Sequence, residues 1–189
     1  MKSSVYQKIA QDHASREKAR RQIINQANNA LSTAKRAIFA LHRDDRKSAQ
    51  DLLDEAKKIF VNCEKSFKAW PDLAYEGAYL AALEEYAEAL LFFGYVKNGK
   101  IAAIDQRCMR AQTYLAGLSD TTGEIVRLAI RQATAGNFQS VEQAVKTVEE
   151  VIAYLYELDL TSYLRTKFDQ AKKNLRHLEE MRYEISLRK

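Results

Sequence analysis

Apolar side chains recur every three or four residues along most of this chain and nowhere alternate with polar ones as they would in a half-buried strand. In residues 5–41, Ile9, Ile23, Ile24, Ala27, Ala30, Leu31, Ala34 and Ile38 mark one stripe of a single long helix whose other face is polar and basic. A second helix is predicted over residues 46–70, where Ala49, Leu52, Leu53, Ala56, Ile59 and Phe60 keep the same spacing. Pro71 ends it, because a proline ring drives the residue before it out of the helical region. Asp72 is placed as the cap of a third helix reaching residue 96, closed by Lys97, Asn98 and Gly99. A short segment, 101–109, leads to a fourth helix over 110–135, with Gly136 and Asn137 as its stop, and residues 139–158 and 161–189 read as two more.

The third helix is apolar nearly all round; between Gly77 and Val96 its only charges are Glu84, Glu85 and Glu88. A bilayer span of that length is excluded because three glutamates near its centre are costly in lipid and no second apolar run shelters them. The helix therefore belongs to the core of a soluble protein, and no membrane partner is expected. The chain has 189 residues, 47% of them hydrophobic, with one proline and six glycines. That favours an all-α, single-domain bundle over residues 1–189, built on one core. No repeat or low-complexity tract divides it. Cys63 and Cys108 have neither a CxxC spacing nor the density of a disulfide scaffold, and are expected as buried thiols in a reducing compartment. The opening residues MKSSVYQKIAQDHASREK contain no apolar export segment, so a cytoplasmic location is expected.

Ionised carboxylates inside apolar helices require a cation, a hydrogen-bond network or water. Glu85 and Glu88, three apart, share one helical face; Asp120 and Glu124, four apart, are the only acids between Gln112 and Ala135 and share another. If the two helices are neighbours, the pairs can converge on a hard divalent cation such as Mg²⁺, which takes oxygen ligands and keeps several waters. Arg127 and Arg131 continue the Asp120–Glu124 stripe with guanidinium forks suited to phosphate. The competing explanation is ordinary: Glu124 and Arg127 as a surface ion pair, and Glu85 and Glu88 on a wet side of the bundle. A di-iron carboxylate site is excluded, since none of His13, His42 and His177 has a glutamate three residues before it. Gly123, mid-helix among these acids, fits close approach of another backbone or a ligand, and packing alone explains it equally well.

The formal charge is +5, and eight Lys or Arg against four acids after residue 164 supply most of it. Near the end of the first helix, Lys35, Phe39 and His42 fall on one stripe, with Arg36 and Arg43 flanking it. Cations beside an aromatic ring suit single-stranded nucleic acid, though a solvated charged face is equally ordinary. No phosphate-cradling glycine loop, nucleophile elbow or Cys/His zinc spacing occurs.

The segments AKRAIFALHR (34–43), LEEYAEA (83–89) and YLAGLSDTTGEIVR (114–127) resemble the translin-associated factor X branch of the translin family, and residues 164–189 resemble the C-terminal helix shared with translin itself. The resemblance implies a bundle of about seven helices assembling into a closed barrel-like homo-oligomer, an octamer being favoured. It implies a metal-dependent endoribonuclease acting on single-stranded RNA, with single-stranded DNA as a further ligand. Glu85, Glu88 and Asp120 stand at the catalytic positions, and the same three with Glu124 at the metal positions, for Mg²⁺ or alternatively Mn²⁺. Lys35, Arg36, His42, Arg43, Arg127 and Arg131 are the candidate nucleic-acid contacts. Translin proper binds nucleic acid without the full acidic set, so the four acids favour the nuclease branch. A translin-like binding protein without catalysis is the alternative, and a purely structural helical protein a third. Thr113 stands where the eukaryotic proteins carry an acid and is expected not to be a ligand; a separate translin partner and the role of Glu84 stay open.

Overall fold

The structure is a computed structural model describing residues 4–101, 104 and 109–187. Among them are six α-helices and one short 3-10 helix, with no strand: α1 (Ser4–His42), α2 (Arg46–Ser66), the 3-10 helix Pro71–Tyr75, α3 (Gly77–Asn98), α4 (Ala111–Thr134), α5 (Gln139–Tyr156) and α6 (Ser162–Ser186). Against the about seven helices that the resemblance implies, the described residues form six α-helices and one 3-10 helix. Cys108 and the end of the last predicted helix lie outside the described residues, while Cys63 is a buried free thiol that donates to Gln26 Oε1 at 3.2 Å.

Packing follows the chain: α1 lies on α2 and α3, α3 on α4, and α4, α5 and α6 on one another. Small residues make the long α1 a good partner, since Ala27, Ala30, Ala34 and Ala37 are fully buried and let neighbouring helices close in. One hydrophobic core joins side chains from all six helices, and a second, smaller one gathers Leu91, Leu118, Val151, Leu155 and Phe168 where α3 to α6 meet. No helix among the described residues is long and apolar enough to cross a membrane.

Two boundaries differ from expectation. α2 stops at Ser66, and Pro71 opens a 3-10 helix instead of directly ending α2; its fixed φ and missing N–H suit a first helical position. Asp72 does not cap α3. Its carboxylate accepts from Arg16 Nε at 3.1 Å and Nη2 at 2.5 Å, and Glu76, the residue before α3, accepts from Arg20 Nε at 2.8 Å. Both acids fasten the α2–α3 connection to α1. At the other end of α3, Gly99 adopts the expected left-handed conformation, φ 71°, and its N–H bonds the Tyr95 carbonyl at 2.8 Å.

Candidate functional site

α3 and α4 touch where α4 lacks a side chain. A Cβ on Gly117 would stand 2.7 Å from Ala87 Cβ and 2.9 Å from both the Glu84 carbonyl oxygen and the Glu88 nitrogen. Thr121, one turn on, donates its hydroxyl to the Gly117 carbonyl at 2.7 Å and lies 3.5 Å from the Glu88 carbonyl. The residue that permits close approach is therefore Gly117, not Gly123, whose nearest such neighbour is the Asn174 amide at 3.4 Å. With the backbones this close, the acids of the two helices share one cleft.

Their charges confirm the sharing. Burial, then Glu85, Asp120 and Glu124, push the Glu88 carboxyl up to about 9, against a modest opposing pull from Lys167. Burial also raises Glu85, partly offset by Lys35, and burial raises Asp120, opposed by the hydrogen bond from Lys167. Four carboxylates predicted from spacing thus act on one another across two helices. They are not, however, already arranged as a ligand set: among the described residues no three His, Cys, Asp or Glu side chains are placed to hold a metal ion. Glu85, Asp120 and Glu124 face a cation or a histidine instead. Lys35 lies 3.8 Å from Glu85, Arg127 lies 3.6 Å from Glu124, and His42 Nε2 hydrogen-bonds Glu124.

Two of these partners come from far along the chain. Lys167 of α6 hydrogen-bonds Asp120 and stands 2.7 Å from Glu84, and Tyr163, one turn earlier, donates to Glu84 at 2.6 Å. Asn174 of the same helix donates to Thr122 at 2.8 Å, fixing α6 along α4. Sequence reasoning missed Lys167 and Tyr163; the only available signal was their four-residue spacing on one face of a helix that also carries many other charges. Glu84, without a role from sequence, is the anchor for both.

His42 is corrected. It does not share an exposed stripe with Lys35 and Phe39; it is 5% exposed, its ring lies 4.9 Å from that of Phe92, and it binds Glu124. The last turn of α1 points it inward because Leu41 and Ile38 beside it are core residues. Its Nδ1 is buried and makes no hydrogen bond. Lys35, Arg36, Phe39 and Arg43 do face outward, with the Arg43 guanidinium 5.8 Å from the Phe39 ring centre. Arg131 shares with His42, Arg46 and Gln143 the wall of a groove of about 610 Å³ at the ends of α1, α3 and α4 and the start of α5.

Compared with known proteins, residues 18–189 match the model of the translin family. The chain belongs to the translin family. Its likeness to the translin-associated protein X homolog of Schizosaccharomyces pombe is 25% identity over 177 residues, covering 86% of this chain and 75% of the relative. Among solved structures, that of apo-NeC3PO superposes with a TM-score of 0.86 at 23% identity, over 95% of this chain and 96% of the other. AfC3PO in complex with duplex RNA gives 0.88 at 19% identity, over 97% of both chains. All-helical architecture and near-complete coverage make this a translin fold throughout. The acids Glu85, Glu88, Asp120 and Glu124 fall on the two helices that Gly117 brings together.

Proposed function

We propose that this translin-family protein is a metal-dependent endoribonuclease that cleaves single-stranded RNA, with the carboxylate cleft between α3 and α4 as its centre. The observation that carries the reading is the gathering of four acids: half-buried Glu88 lies close enough to Glu85, Asp120 and Glu124 for their charges to add to burial in raising its pKa to about 9. Hard oxygen donors on two facing helices suit Mg²⁺, or Mn²⁺ in its place, with Glu85, Glu88, Asp120 and Glu124 as the residues that would hold it. When bound, such an ion supplies an acidified water and positive charge for a phosphodiester.

The chain's own residues divide the remaining work. Asp120 and Glu85 each stand beside an ammonium that offsets part of the burial penalty on their ionised forms. Glu88, whose pKa burial and its acidic neighbours raise, is the acid whose ionised form a bound cation would favour most. His42 fixes Glu124 from behind. Arg127, exposed beside Glu124, and Arg131, in the adjoining groove, offer forks to phosphate oxygens flanking the scissile bond. Lys35, Arg36 and Arg43, with the exposed Phe39 ring, extend a basic and stacking surface along α1. RNA as ligand is further supported by the AfC3PO complex with duplex RNA. A barrel-like homo-oligomer, with an octamer as the expected size, is supported by apolar side chains left exposed on α1 and α6, among them Tyr6, Ile9 and Tyr183.

A labelled single-stranded RNA should be cut in Mg²⁺ and left intact in EDTA, and Glu88→Ala or Asp120→Asn should reduce cleavage at least about a hundredfold. Cleavage persisting in EDTA or in both variants sinks the reading. The second reading, RNA binding without catalysis, is favoured by one specific observation: each of Glu85, Asp120 and Glu124 already has a cationic or histidine partner within the chain. It predicts retention of the RNA on a gel with no products in Mg²⁺, and the same gel with a duplex arm distinguishes the RNA forms.

A further inference from the structure

Lys167 differs from the other cations of the cleft. Lys35 and Arg127 are 60% and 59% exposed and reach one carboxylate each from the outside. The Lys167 side chain is 21% exposed and is held between helices, by Asp120 of α4 on one side and Glu84 of α3 on the other. Its ammonium also lies 5.2 Å from the centre of the Tyr163 ring, whose hydroxyl is bonded to Glu84. Two carboxylates on facing helices thus converge on one lysine amine, which neutralises charge that neither Lys35 nor Arg127 reaches.

We propose that Lys167 is a built-in counter-ion of Asp120 that competes with a divalent cation for that carboxylate, and that Glu84 and Tyr163 form the tether that keeps the displaced ammonium beside the cleft. The inference rests on the reading of the four acids as a metal site. Its physical basis is substitution of charge: a carboxylate hydrogen-bonded to a desolvated ammonium must give up that bond before a metal can take the same oxygens. Glu84 then serves as the acceptor that remains after exchange, with a second lone-pair donor in Tyr163. Tyr163 and Lys167, four apart on α6, bring both parts of the device to one face.

The test is Mn²⁺ binding without RNA, by electron paramagnetic resonance and titration calorimetry at pH 8, in the full chain and in Lys167→Met, Lys167→Gln and Lys167→Arg. Removing the competing charge should tighten Mn²⁺ binding about tenfold in Lys167→Met and Lys167→Gln, while Lys167→Arg stays within about threefold of the parent. A lysine that merely supports the fold predicts unchanged or weaker binding in the neutral variants, and that result overturns the inference while leaving the metal site standing. No Mn²⁺ binding by the parent chain overturns the site reading and this inference with it. A second readout uses the parent chain alone: acylation of Lys167 by an amine-reactive reagent, followed by peptide mass spectrometry, should rise when Mn²⁺ is added. Constant labelling in a chain that binds Mn²⁺ overturns the exchange, whatever the variants do.

Discussion

Glu88 concentrates the electrostatic cost of the cleft, and its protonation makes that cost measurable as stability. Burial first, then the like charges of Glu85, Asp120 and Glu124, raise its pKa from 4.5 to about 9, with Lys167 pulling the other way. The folded chain therefore binds one more proton than the unfolded chain between those values, so the contribution is complete below about pH 4.5 and lost as pH rises toward 9. Thermal melts in EDTA should fall steadily across that window, and Glu88→Gln should flatten the fall and stabilise the protein by roughly 1–3 kcal/mol at pH 8, the full shift being reduced by water and side-chain relaxation. A slope unchanged in the variant would remove Glu88 from the account. The acid pairs themselves were legible in the sequence because three- and four-residue spacing on a helix is local. Their partners were not: His42 meets Glu124 across 82 positions, and Lys167 meets Asp120 across 47. No periodicity carries that information, which is why His42 reads from sequence as an outward-facing contact and Glu84 as an unexplained acid.

The helices were legible from their apolar spacing, and the errors fell at their ends and at their points of closest contact. Asp72 has the chemistry of a cap, but capping requires the chain to enter the helix directly, and the 3-10 turn after Pro71 intervenes. Glycine is likewise ambiguous in sequence: both Gly117 and Gly123 sit inside α4, and only the neighbouring helix distinguishes them. Gly117→Ala forces a methyl against the Glu84 and Glu88 backbone, which cannot yield as a side chain can, and should destabilise by about 1–3 kcal/mol. Because the same shift separates α3 from α4, it should also weaken whatever depends on the two acid pairs together. Gly123→Ala meets only the end of the Asn174 side chain and should be neutral or gain up to about 1 kcal/mol from helix propensity. Chemical denaturation of the two variants side by side checks the contrast, and equal effects would contradict the assignment of the close approach to Gly117.

Across the molecule, charge is segregated: an acidic cleft between α3 and α4, and cations along the outer face of α1 and on α6. RNA held by the α1 cations should bind with strong salt dependence, and Arg36→Ala combined with Arg43→Ala should reduce the magnitude of the salt slope by about 1 without abolishing metal binding in the cleft. An unchanged slope in filter-binding titrations would place the RNA path elsewhere. The fold class followed from composition and spacing, whereas the second, smaller core did not, since Leu91 and Leu118 look in sequence like any other amphipathic positions. The two ion pairs at Arg16 and Arg20 give α1 a mechanical character. Residues 4–15 are all exposed, so beyond Arg16 the helix runs on as a rod of about 18 Å. At its root, ion pairs to Asp72 and Glu76 hold it to the bundle, the first of them exposed. The rod is thus a cantilever with a partly ionic root, and added electrolyte should loosen that root before it reaches the buried alanine seam of α1.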